Sequence, residues 1–282
     1  ARAIKTSFFK TASGLAKYKY LTQLFEFLST IVLSRLLVPE EYGFVAIIQI
    51  FAGFILLFSN VGIGAAVIRS DYGQTFQKHL YSLSIWIGVM LALLMFALAY
   101  PISIFFENPA LMVPTMFFSL KFIFDSFSYI PVAVLSKNLQ FTIIGKIRMI
   151  RGLATIALTI ILAYLGFSYW SIIIPMVLSP LLEYLLIYKK IDFGLKIYGL
   201  KPSLWILNKI KVLLGSLTLN NFVDYWAGSV DKLVIGKWFA NSDLGIYNRA
   251  FRFIEISNKL VVSIFSAVMF PSVKKLIASG GN

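Results

Sequence analysis

The chain has 282 residues, 59% of them hydrophobic and 13% charged, with a formal net charge of +14. Soluble domains carry about 45–50% apolar and about 25% charged residues, so part of this chain's solvent must be lipid. It has no cysteine and a single histidine, His79, which excludes thiol chemistry and disulfides and leaves almost no room for a Cys/His metal site. On a soluble face this basic excess would point to nucleic acid; here the basic residues sit between apolar runs, so the charge reads as topology and no nucleic-acid partner is expected.

In chain order, the first 17 residues carry Arg2, Lys5, Lys10 and Lys17. They form a basic amphipathic lead-in rather than a cleaved signal, because no short apolar core with a small-residue cleavage site follows. Apolar spans then run over 18–37, 42–68, 80–105, 111–135, 148–167 and 169–188. Each is near or above the ~20 residues a helix needs to cross the hydrocarbon. Gly62 and Gly64 fit a close helix approach or a local break near the inner end of the second span. Pro175 and Pro180 interrupt the sixth, where neighbouring helices can satisfy the freed carbonyls. A polar stretch over 188–202 and a short amphipathic, surface-lying segment over 205–214 precede two more spans, 214–239 and 244–273.

The expected fold is therefore an all-α, polytopic membrane protein with about eight transmembrane helices. Residues 1–188 form a first six-helix lobe, 189–202 a cytoplasmic linker, and 203–282 the start of a second lobe, with a surface helix and two transmembrane helices. A repeat supports the division. The segment from Leu33 to Ala46 has an echo 202 residues later, which places Arg35 on Lys237, Glu41 on Asp243 and Gly43 on Gly245. Both copies join two apolar helices through a short acidic turn, as one complete repeat followed by the start of another would.

Loop charge gives the orientation. The N-terminal tail, 69–79, 136–151, 189–211 and the C-terminus hold most of the 26 basic residues, among them Arg69, Lys78, Lys146, Arg148 and Arg151. The opposite loops, near 38–41, 106–110 and 166–168, hold Glu40, Glu41 and Glu107 and no Lys or Arg. Basic loops stay cytoplasmic, which places the N-terminus inside.

Polar residues within spans need a protein-lined or watery interior. Gln23, Glu26 and Thr30 share a face of the first helix; Lys121, Asp125 and Ser128 share one of the fourth. Asn220, Asp224 and Asp231 line up in the seventh with Asn221 beside them, and Arg249 and Arg252 lie at i, i+3 in the eighth. Lys121 and Asp125, at i, i+4, read as a neutralising pair. Asp231, Lys232, Arg35 and Lys237 lie near the outer ends, where long side chains snorkel. Glu26 and Asp224 have no local partner and stand between packing and cavity, while Arg249 and Arg252 suit a cationic cavity wall. No phosphate-binding Gly-rich loop and no catalytic constellation is present.

The turn Leu33-Ser34-Arg35-Leu36-Leu37-Val38-Pro39-Glu40-Glu41-Tyr42-Gly43 resembles the first-helix signature of the bacterial polysaccharide exporters, the O-antigen and capsule flippases. So do Asp231-Lys232-Leu233-Val234-Ile235-Gly236 and Leu244-Gly245-Ile246-Tyr247-Asn248-Arg249-Ala250. These belong to the superfamily of multidrug, oligosaccharidyl-lipid and polysaccharide exporters, whose members have two helical lobes facing a central cavity. The resemblance implies a chain that continues past residue 282 and sits in the bacterial cytoplasmic (inner) membrane. It implies a non-enzymatic flippase that moves undecaprenyl-pyrophosphate-linked oligosaccharide outward by alternating access, with membrane lipids and other polysaccharide assembly proteins as partners. No cofactor is implied beyond coupling to a proton or a sodium ion. On this reading helices one, two, seven and eight line the cavity, with Glu26, Lys121, Asp125, Asn220, Asn221, Asp224, Arg249 and Arg252 as candidate residues. Arg249 and Arg252 would attract the pyrophosphate, and Glu26 or Asp224 would carry the coupling ion. The alternatives are a drug or metabolite exporter of the same fold, which would want an apolar cavity with one or two carboxylates, and a non-transporting fragment or scaffold.

Overall fold

The structure, a computed structural model, describes residues 2–58, 67, 74–189, 222, 223 and 225–254, with side chains described from Lys17 and, in the third helix, from Phe76. Among these residues there are helices and turns and no strand. The helices are α1 (Arg2–Leu36), α2 (Pro39–Leu56), α3 (Gln74–Phe105), α4 (Met112–Lys137), α5 (Phe141–Tyr164), α6 (Trp170–Tyr188) and α7 (Val230–Trp238). Residues 241–254, here α8, are also helical. Five described helices are long and apolar enough to cross a membrane: Pro39–Leu56, Phe76–Phe105, Pro109–Lys137, Phe141–Tyr164 and Trp170–Tyr188. The basic lead-in and the first expected span are one continuous helix, α1, whose polar stripe keeps it out of that set. The chain is an all-α polytopic membrane protein.

Within 2–188, α1 packs along α5, α3 along α4, and α6 against both α4 and α5. Helix α2 runs through the middle. Every residue from Tyr42 to Ile48 is buried, against Leu91 and Met95 of α3, Phe118 and Phe122 of α4, and Ile173 and Val177 of α6. A helix apolar all round has no face to offer water, so it takes the centre. The opposite case is the outer face, where Met90, Leu93 and Tyr164 are 66%, 60% and 81% exposed and must meet lipid. Small residues set the α3–α4 spacing: a Cβ on Gly88 would stand 2.6 Å from Ser126 Cβ and 2.8 Å from the Phe122 carbonyl.

Several boundaries differ from the sequence reading. Helix α5 begins at Phe141 rather than 148, so Lys146, Arg148 and Arg151 ride on a helix instead of in a loop. The loop shrinks to 138–140, where Leu139 turns the chain with a φ of 56°. Helix α6 is not interrupted: it runs from Trp170 to Tyr188 through Pro175 and Pro180. Pro180 cannot bond the Met176 carbonyl four residues back, and Ser179 Oγ donates to it instead, at 3.3 Å. Helix α2 ends at Leu56 rather than 68; its last turns pack Phe54 among Phe58, Phe222 and Trp226. In the seventh span a turn at Gly228 and Ser229 separates helical residues 225–227 from α7. Gly62, Gly64, the 189–202 linker beyond Lys189 and the 205–214 segment lie outside the described residues.

The 202-residue echo is visible in atoms. The Val38 N–H donates to Glu41 Oε2 at 3.0 Å, and the Ala240 N–H donates to Asp243 Oδ2 at 3.3 Å. Each is the same cap, an acidic side chain three residues in reaching back to an unsatisfied donor. The two capped N-termini then cross. A Cβ on Gly43 would collide with the Asn241 carbonyl, and one on Gly245 with the Pro39 carbonyl. Since Pro39 maps onto Asn241 in the repeat, the contact is a local pseudo-twofold.

Candidate functional site

A cavity of about 330 Å³ lies between α1, α5, α6 and α8, with Tyr42 of α2 at the end nearest the 38–41 turn. From α1 it takes Gln23, Glu26, Ser29, Thr30 and Leu33, a single helical face. From α5 it takes Arg151, Gly152, Thr155 and Thr159, from α6 Met176 and Ser179, and from α8 Asn248, Arg249 and Arg252. Helix spacing makes the α1–α5 wall close, since a Cβ on Gly152 would come within 2.9 Å of Thr22 Cγ2. The hydroxyls are anchored to their own helices: Ser29 and Thr30 each donate to the Glu26 carbonyl at 2.8 Å, and Thr155 to the Arg151 carbonyl at 2.8 Å. Their oxygens remain acceptors. Gln23 Oε1 is buried without a hydrogen-bond partner among the described residues.

Among the described lining residues Arg249 and Arg252 stand with one carboxylate, Glu26, while Arg151 is paired with Glu183 behind the wall, so the described lining is cationic. Walls of low dielectric strengthen that field beyond its value in water. Arg151 is fixed by Glu183, to which its Nη1 donates; Glu183 is 5% exposed and also lies 3.6 Å from Arg148 Nε. Arg249 is held differently. Its Nη2 donates to the Leu37 carbonyl at 2.7 Å and its guanidinium carbon sits 3.7 Å from the Tyr42 ring centre. That carbonyl ends α1, where the helix dipole favours a cation. Its Nε is buried with no hydrogen-bond partner among the described residues.

Of the residues expected from sequence, Glu26, Arg249 and Arg252 come together here. Lys121 and Asp125 do not line this cavity; they form the i, i+4 ion pair on α4. Asn220, Asn221 and Asp224 lie outside the described residues. The expectation that helices one, two, seven and eight make the lining is corrected for the described part, because α5 and α6 supply Arg151, Thr155, Thr159 and Ser179. The signal is in the sequence, since Arg148, Arg151, Thr155 and Thr159 repeat at helical spacing, but loop charge alone assigns the first two to a basic loop.

Beyond the cavity, toward the 106–110 turn, Lys237 Nζ donates to Glu107 Oε1 at 2.8 Å and to the Phe105 carbonyl at 2.6 Å. The hydrogen bond from Lys237, aided by its charge, holds the Glu107 carboxyl below the usual carboxylate range. Asp231, instead of snorkelling alone, accepts from the Tyr247 hydroxyl of α8.

Residues 32–277 match the polysaccharide biosynthesis protein family. The chain belongs to that family. Among curated relatives of this family, the succinoglycan biosynthesis transport protein ExoT of Rhizobium meliloti is 24% identical over 89% of this chain and 51% of its own length. The lipopolysaccharide biosynthesis protein WzxC of Escherichia coli is 24% identical over 87% of the chain and 50% of its own length. The teichuronic acid biosynthesis protein TuaB of Bacillus subtilis is 24% identical over 80% and 46% respectively. The chain thus spans about half the length of the curated relatives it matches. No solved structure matches it at the same level of significance.

Proposed function

We propose that this chain forms the first lobe and the start of the second in an exporter of surface polysaccharide. Its cargo is an oligosaccharide carried on undecaprenyl pyrophosphate, moved from the inner to the outer leaflet of the bacterial cytoplasmic membrane by alternating access. The observation that carries the reading is the cavity, whose guanidiniums come from both sides: Arg151 from α5, Arg249 and Arg252 from α8. Phosphate oxygens pair with guanidinium forks, and the hydroxyls and amides of α1 and α5 suit a sugar's hydroxyl groups. An exporter of apolar drugs would want the reverse, an apolar pocket with isolated carboxylates. Glu26, the single carboxylate among the described lining residues, is the residue offered to a coupling proton or sodium ion. Relatives whose printed names are transport or biosynthesis proteins of succinoglycan, lipopolysaccharide and teichuronic acid support the same class of cargo.

The test is Arg252→Gln in the full-length protein, expressed in cells that depend on it. Surface polysaccharide should fall by about tenfold or more, as loss of a charge-assisted hydrogen bond implies, while membrane-inserted protein is unchanged and lipid-linked oligosaccharide accumulates. Normal surface polysaccharide in that variant removes the cationic cavity from the transport path.

A further inference from the structure

Arg249 belongs to two structures at once. It lines the cavity, and it also ties α8 to the end of α1 through the Leu37 carbonyl and to α2 through the Tyr42 ring. Tyr42 and Leu37 flank the crossing at which the backbones of α2 and α8 touch through Gly43 and Gly245. Gly245 and Arg249 are four residues apart, so one face of α8 presents the crossing and then the guanidinium. Arg151, by contrast, is anchored to Glu183 within the six-helix bundle.

We propose that Arg249 links occupancy of the cavity to closure of the 38–41 end. Its guanidinium clips α8 to α1 and α2 and keeps the Gly43–Gly245 crossing shut. A phosphate-bearing head group in the cavity offers a charged, bidentate partner in place of a neutral carbonyl and a ring face. It draws the guanidinium inward, and the crossing loses its clip. The Nε that has no hydrogen-bond partner among the described residues is the donor left over for such a ligand. The ligand class rests on the export reading above; the clip itself does not. Linkage then requires that parting the crossing and binding the anion favour each other by the same factor.

The full-length protein in nanodiscs, with spin labels at Glu40→Cys and Ala240→Cys, reports the gap across the crossing; both positions are exposed. Without ligand the labels should show one short distance. Inorganic pyrophosphate or undecaprenyl pyrophosphate should raise the long-distance population by about fivefold or more. A response to both means that the anion suffices, and a response to the lipid form alone means delivery from the membrane; each supports the proposal. Arg249→Gln should show the long distance with no ligand added and gain nothing from pyrophosphate. Arg249→Lys, which keeps the charge but loses the fork, should fall between and shows that the effect is not misfolding. Arg249→Gln that stays closed overturns the clip, whatever the ligand does. If the wild type binds pyrophosphate by calorimetry but its distance does not move, the link to occupancy falls and the export reading stands. If it binds neither pyrophosphate nor the lipid form, that reading falls as well.

Discussion

Glu183 sits at 5% exposure in α6 and is tolerable there because two guanidiniums of α5 reach it. A buried carboxylate alone would cost several kcal/mol in desolvation. Glu183→Leu leaves the partly exposed Arg151 without its anchor, and should cost about 1–3 kcal/mol of stability. Replacing the closer pair, Glu183→Leu with Arg151→Met, should restore most of it, since the remaining Arg148 is more than half exposed and can turn to water. Unfolding in detergent of the two variants decides this; a single variant as stable as wild type would show that the pair is not holding the bundle together. Such a pair was not legible in the sequence. Lys121 and Asp125 were, because i, i+4 contacts lie on one helix, whereas Arg151 and Glu183 are 32 residues apart and meet only after α5 and α6 pack. Arg249 was legible as a cavity cation, but its second role depends on the Leu37 carbonyl, which no spacing reveals.

At the scale of helices, the crossing of α2 and α8 shows why glycine recurs in the repeat. A Cβ at Gly43 or Gly245 meets the opposing backbone, which cannot rotate away as a side chain would. Gly43→Ala should therefore cost at least about 1–3 kcal/mol, and Gly245→Ala a similar amount by the pseudo-symmetry. Gly152→Ala is the control. Its Cβ would press only on Thr22 Cγ2, and alanine suits a helix interior better than glycine. Thermal unfolding of the three should separate Gly152 from the other two; equal losses would mean that any added methyl disturbs this fold. Sequence placed these turns well because acid caps and the 202-residue offset are local patterns. It misjudged the starts and ends of α2 and α5 for a physical reason. Hydropathy locates where a helix meets lipid, and α5 starts earlier, with Arg148 and Arg151 reaching Glu183 of α6.

For the whole molecule, the turns fall into two sets. Residues 37–38, 106–108, 165–169 and 239–240 lie at one end of their helices, and 138–140 and Lys189 at the other. The first set carries Glu107 and adjoins the acidic caps Glu41 and Asp243, and the second carries Lys189 and adjoins Lys137 and Lys146. Moving Arg151 from loop to cavity removes one charge from the basic end and leaves the asymmetry intact, so the basic end should face the cytoplasm. The 282 residues contain no cysteine, which makes single substitutions in this region clean reporters. Phe167→Cys and Leu139→Cys are suited to this, since both side chains are exposed, at 46% and 45%, on opposite turns. In cells with a permeable outer layer but an intact cytoplasmic membrane, a membrane-impermeant maleimide should label the cysteine at 167 and spare the one at 139 until the membrane is opened. The reverse pattern would put the Gly43–Gly245 crossing on the cytoplasmic side. The cavity would then be closed toward the cytoplasm, and the outward export proposed above could not begin from this conformation.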